Sequence, residues 1–227
     1  VYEGLTAYAR TVEADGVGRL DFTRVVPHLA EGWTVTPDGR TYVFTLRKGV
    51  RSIFGNEMTA ADVVWGWEKS IAQKRTGQFI ASVTGVERIE ALDTHVVRFT
   101  LRAPSMVFLH LITNYVPAIY DSTEVKKHAT AEDPWALRWI DANTAGFGPY
   151  HMESVRQGEQ AIFVANPNYF GGVPYYKRVV YREIPSGAAR YQLLLSGQAQ
   201  WIEELTHKQV TELRRDRRVK VVGVEAM

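Results

Sequence analysis

The sequence predicts an α/β or α+β fold built on mixed sheets. Three observations carry that reading. Short runs that alternate apolar and polar residues come in pairs around turn residues. Amphipathic stretches with helix-start signals lie between the pairs. The resulting order is too irregular for a uniform βαβ series.

The first clear pair is "EGWTVTPDGRTYVFTLRKGV", residues 31–50. Trp33 and Val35 alternate with polar residues, Pro37-Asp38-Gly39 supplies a turn, and Tyr42, Phe44 and Leu46 alternate again, which makes a β-hairpin with one buried face. In "MTAADVVWGWEKSIA", Thr59 with Asp62 three residues on forms a capping-box pattern, so a helix starts near Ala60. Val63, Val64, Trp67 and Ile71 then share one helical face. "VERIEALDTHVVRFTLRAP" repeats the hairpin logic, turning at Asp93-Thr94 and placing Val97, Phe99 and Leu101 on one side. The apolar "SMVFLHLI" is read as a buried helix. Residues 121–142 read as helical and loop-like, interrupted at Pro134.

Two strands, Tyr150–Val155 and Ala161–Val164, flank Gly158. "NPNYFGG" is a compact turn cluster, followed by the strand "RVVYREIP". A helix over Ala188–Leu195 ends at Gly197. Thr206 and Gln209 mark a second capping box, and "VKVVGV" reads as a last strand. There is no internal repeat and no low-complexity segment.

Composition narrows the function classes. With 45% apolar and 23% charged residues, the chain has the make-up of a globular protein. A net charge of +2 is too small to imply a nucleic-acid or acidic-membrane partner. The basic run Arg214-Arg215-Asp216-Arg217-Arg218 is interrupted by an acid and reads as a solvated helix end. The lack of cysteine excludes disulfides, cysteine-ligated zinc and thiol nucleophiles. No apolar run is long enough to span a membrane. Val1 follows neither a methionine nor a basic leader, so the chain reads as processed or as cut from something longer.

The stretch "NTAGFGPYHM" invites a phosphate-loop reading, because glycines of this kind cradle anions. Such a loop must lead into a helix whose amides meet the anion. Here the following residues alternate as a strand, Pro149 removes a donor, and no P-loop lysine follows. Glycine is better explained by unusual φ or by close approach of backbone. The six histidines are scattered without metal-ligand spacing, so neither a metal nor a cofactor is expected. No GxSxG elbow is present, so no catalytic residue is nominated. Tyr115, in the loop-like "TNYVPA", and Phe147, between two glycines, are the aromatics best placed for ligand contact.

Six stretches occur in an order that resembles a known family: "VYEGLTAY", "PHLAEGWTVTPDGRTYVFTLRKGV", "MTAADVVWGWEKS", "GFGPY", "ANPNYFGGVPYYKRVVYREIP" and "RYQLLLSGQAQW". Together they resemble the extracytoplasmic solute-binding proteins of peptide- and nickel-type ABC importers, over almost the whole chain. Three departures stand out. Ile53 and Phe54 replace the polar residues usual after the "LRKGV" strand, Phe147 replaces a threonine, and "SGQAQW" lacks its acid.

The resemblance implies a type II periplasmic-binding-protein lobe with an additional subdomain. Residues 1–40 and 170–227 would form parts of the first lobe and residues 41–169 the subdomain. The second lobe would lie outside this chain. It implies capture of a peptide or similar small solute between two lobes, delivery to a membrane ABC permease, and no nucleic-acid partner. The expected location is the periplasm or the outer face of a membrane, with a lipid anchor upstream as one arrangement. Asn114, Tyr115, Phe147 and Gly148 are the expected cleft-facing residues. An enzyme, or a stand-alone sensor or interaction module, on the same lobe are the alternatives.

Overall fold

The computed structural model describes residues 1–12, 18–74, 76–113 and 117–222. Strands β1 (Thr6–Val12) and β2 (Gly18–Pro27) form a two-stranded antiparallel sheet. Strands β3 (Ala30–Val35), β4 (Thr41–Leu46), β5 (Val86–Asp93) and β6 (Val96–Leu101) form a second, antiparallel sheet in the order β3-β4-β6-β5. Strands β7 (Tyr150–Arg156), β8 (Gln160–Ala165) and β9 (Arg178–Arg182) form a third, with β9 at its edge. Seven helices accompany them among the described residues: α1 (Ala60–Ala72), α2 (Thr76–Thr84), α3 (Phe108–Leu111), α4 (Ser122–Lys126), α5 (Leu137–Ile140), α6 (Gly187–Leu195) and α7 (His207–Leu213). The mixed α/β class expected from the sequence is the observed one.

The four-stranded sheet carries the main core because its alternation is strict on one face. Tyr42, Phe44, Leu46, Val97, Phe99 and Leu101 are all buried there. Val63 and Trp67 of α1, Ile80 and Ala81 of α2, and Phe108 of α3 close over them. The rings meet at edge-on or tilted angles: Phe44–Phe99 at 5.6 Å, Trp67–Phe99 at 5.3 Å and Phe99–Phe108 at 5.5 Å. Trp65 points elsewhere, into a smaller cluster with Tyr120, Val125, Ala136 and Ala145. Helix α1 is therefore buried on two sides. Its last large apolar residue, Ile71, is exposed rather than continuing the core stripe.

Local chemistry sets the boundaries. Gly39 takes a φ of +67° in the β3–β4 turn, where a side chain would be strained. At the start of α1, the Asp62 carboxylate accepts from the Thr59 amide at 2.8 Å and its hydroxyl at 3.0 Å. The box at α7 is reciprocal: Thr206 N donates to Gln209 Oε1 at 2.9 Å and Gln209 N to Thr206 Oγ1 at 3.3 Å. Gly197, at φ +74°, ends α6 as expected.

Three features differ from expectation. The apolar "SMVFLHLI" is helical only over Phe108–Leu111, and Met106 is 96% exposed, because only Phe108 and Ile112 of this run are buried in the main core. Residues 219–222 of "VKVVGV" form no strand, having no strand beside them among the described residues to complete a ladder, and residues 223 and 224 lie outside the described set. The β1–β2 hairpin and α2 were not read from the sequence at all. Residue 40 lies in the β3–β4 turn, so a boundary there passes through a hairpin.

Candidate functional site

The "GFGPY" turn and the segment ending at Thr113 converge on the first five residues. Gly148 N donates to Val1 O at 3.0 Å, and Tyr120 bridges to Gly146 on the same turn. A Cβ at Gly146 would stand 2.4 Å from Val1 O, and one at Gly148 would stand 2.5 Å from it. On the other side, a Cβ at Gly4 would lie 2.6 Å from Ile112 O. The chain threads residues 1–5 between the segment before residue 114 and the "GFGPY" turn. Glycine is needed there for backbone packed on backbone.

The expected cleft residues fall differently. Asn114 and Tyr115 lie outside the described residues. Phe147 is 1% exposed and packs in the main core, so its ring is a packing element of this fold. Gly148 is held against Val1, and its carbonyl accepts from Asn166 Nδ2 at 3.2 Å. The same Asn166 amide reaches Arg51 O at 3.2 Å, and Asn168 Nδ2 reaches Ser52 O at 3.2 Å. These amides staple the 51–57 loop to the "GFGPY" turn.

Beside this junction lies a polar group that sequence reasoning missed. The Glu3 carboxylate accepts from the Tyr169 hydroxyl at 2.9 Å, and its other oxygen lies 3.2 Å from His28 Nε2. Burial, and then the Glu3 charge, push the Tyr169 phenol well above its usual range. Phe170 packs edge-on against His28 at 5.4 Å, with the Arg47 guanidinium 5.6 Å over its ring. Glu3, His28 and Tyr169 come from three separate stretches, each already part of a quoted motif. No spacing rule joins them; only folding does.

Beneath the junction, Tyr2 packs on Tyr120 at 4.7 Å, and Lys69 lies 4.5 Å over the Tyr120 ring. Lys69 is buried, donates to the Tyr120 hydroxyl at 3.2 Å, and has its basicity lowered by that burial. Nearby, the buried Asp121 accepts from Ser52 Oγ at 2.6 Å and from Asn56 Nδ2 at 3.0 Å. Lys69, Tyr120 and Asp121 are all satisfied by protein, which is the chemistry of a rigid wall, whereas the buried Tyr2 hydroxyl has no hydrogen-bond partner among the described residues. Among the described residues, no three His, Asp or Glu side chains gather as a metal-binding set.

A family model for bacterial extracellular solute-binding proteins, family 5 (Middle), matches residues 24–226. The chain belongs to that family. Within family 5, the probable D,D-dipeptide-binding periplasmic protein DdpA of Escherichia coli (strain K12) is 32% identical over 216 residues, covering 95% of this chain and 41% of the relative. The ABC transporter-associated periplasmic binding protein DppA from Helicobacter pylori, in complex with peptide STSA, has a TM-score of 0.77 at 24% identity, over 96% of this chain and 43% of that one. NikA from Brucella suis, in complex with Fe(III)-EDTA, has a TM-score of 0.74 at 24% identity, over 95% and 41%. The fold is that of the type II periplasmic binding proteins. This family 5 chain spans less than half the length of the relatives it matches, 41% of the first. Those relatives are binding proteins by description, not enzymes.

Proposed function

We propose that this chain is part of the solute-binding component of an ABC importer, which captures a peptide or similar small solute and hands it to a membrane permease. The observation that supports this most directly is the family match, which runs through nearly every element of the fold. In this reading residues 1–40 and 170–227 belong to the first lobe and residues 41–169 to its subdomain, with the β3–β4 hairpin joining them. The ligand would lie between this lobe and a second lobe supplied by the rest of the protein, at the periplasmic or outer face of the membrane.

The walls are suited to that work. A binding protein gains affinity from surfaces that do not reorganise when the lobes close. Residues 1–5, wedged between two loops and tied through Glu3 to Tyr169 and His28, form such a surface. Extended peptides can be held by main-chain hydrogen bonds with tolerance of side-chain identity. Asn114, Tyr115 and the Gly148 backbone are the positions we propose nearest the ligand.

Native mass spectrometry of the full-length protein, purified gently from its own host, tests the reading. A bound small molecule displaceable by peptides is the expected result. A full-length protein that carries nothing and shows no calorimetric response to peptides would overturn it.

A further inference from the structure

The Glu3 carboxylate is only half satisfied. Its Oε1 accepts from the Tyr169 hydroxyl at 2.9 Å, but Oε2, shut off from solvent, makes no hydrogen bond of good geometry among the described residues. The His28 imidazole faces that oxygen with Nε2 3.2 Å away, and the two side chains are 27% (His28) and 16% (Glu3) exposed. A covered carboxylate oxygen without a donor costs free energy. An imidazolium turned onto it supplies a donor and a charge together, whereas a neutral ring offers at most a weaker bond.

The same two residues sit where the chain closes on itself. His28 N and Ala30 N both donate to Leu5 O at 3.0 Å, and Leu29 N donates to Gly4 O at 3.3 Å. These bonds carry the β1–β2 pairing past Thr6 and Pro27 and onto the wedge of residues 1–5. The Glu3–His28 contact flanks them, so the strength of that contact sets how firmly the wedge is held.

The surrounding groups divide by charge. Tyr169 meets the other Glu3 oxygen as a neutral donor. Arg47 donates through Nε to the His28 carbonyl and stands over Phe170, which packs on the His28 ring, so its fixed charge opposes a second one there. Arg10 acts by charge on Tyr169, and the Val1 amine feels the Glu3 charge. Among these side chains, His28 alone is of a type that ordinarily changes charge between pH 5 and 8.

We infer that His28 is a pH-dependent latch. Its imidazolium, paired with Glu3, clamps residues 1–5 against the start of β3, and loss of that charge as pH rises relaxes the wedge. The inference rests on the proposed function only for its consequence: if the wedge is one wall of the cleft, solute is held more tightly on the acid side of neutrality.

The test is hydrogen exchange of the full-length protein without solute, read at the amides of His28, Leu29 and Ala30 relative to those of β4, at pH 5.5 and pH 8 and corrected for intrinsic rates. Protection about fivefold stronger at pH 5.5 is expected. His28→Gln, which keeps a donor, and Glu3→Gln, which keeps an acceptor for Tyr169, should each abolish the difference. Tyr169→Phe should preserve it. Equal protection of the parent at both pH values overturns the inference. So does a difference that survives in His28→Gln, since that variant leaves the Val1 amine in place. Calorimetric titration of the same samples with peptide reads the proposed function separately: a pH difference in exchange with no peptide bound keeps the latch and removes the solute-binding reading.

Discussion

Gly148 and His151 show how much a single position can decide. Because a Cβ at Gly148 would sit 2.5 Å from Val1 O, Gly148→Ala must push the first residues away from the turn. We expect a loss of about 1–3 kcal/mol, read as a lower urea midpoint with an unchanged m-value. His151 lies half-buried, 3.1 Å from Thr144 Oγ1 and 5.5 Å from the Phe54 ring. Burial lowers its pKa from the ordinary 6.5. A group held neutral by the fold takes up its proton first in the unfolded chain, so stability falls as pH drops below 6.5 and levels off beneath the folded value. His151→Gln should flatten that part of a melting-temperature profile, and an unchanged slope would refute the assignment. The need for glycine in "GFGPY" was legible in the sequence. What it makes room for was not, since Val1 lies far away along the chain and only the fold brings it there.

At the level of elements, alternation and capping were legible where the physics is local. The β3–β4 and β5–β6 hairpins and both capping boxes follow from residues within a few positions of each other. Elements that depend on distant partners were not legible. Helix α2 interrupts its apolar stripe with exposed Phe79, and β2 pairs with β1 across a bulge at Tyr8/Ala9. Residues 219–222 have strand composition but, among the described residues, no strand beside them. The core sheet predicts its own sensitivity: Phe99→Ala, which removes a ring in contact with Phe44, Trp67 and Phe108, should cost about 3–5 kcal/mol by chemical denaturation. Thr206→Ala, at an exposed cap, should cost about 1 kcal/mol. A reversed ranking would mean that the sheet is not where stability resides.

For the whole molecule, the family was legible because six motifs stand in order. The positions of the proposed cleft residues were not, because contacts such as Gly148 against Val1 join stretches that no local spacing connects. If the ligand is enclosed between lobes, a full-length affinity near micromolar, about 8 kcal/mol, should fall to about millimolar or weaker for residues 1–227 alone. Titration of both by calorimetry with the same peptide checks this, and equal affinities would place the whole site within this lobe. Strand β9 carries a separate consequence. All five of its residues are exposed, and among the described residues no strand pairs with its outer edge. Val179, Val180 and Tyr181 would make a sticky template for any extended chain that drifts past. Arg178, ion-paired with Glu153 at 2.8 Å, and Arg182 bracket that trio, a placement of charge that disfavours edge-to-edge pairing. Neutralising both arginines should turn a manageable edge into a nucleus for fibrils, seen as faster thioflavin-positive assembly of the isolated chain.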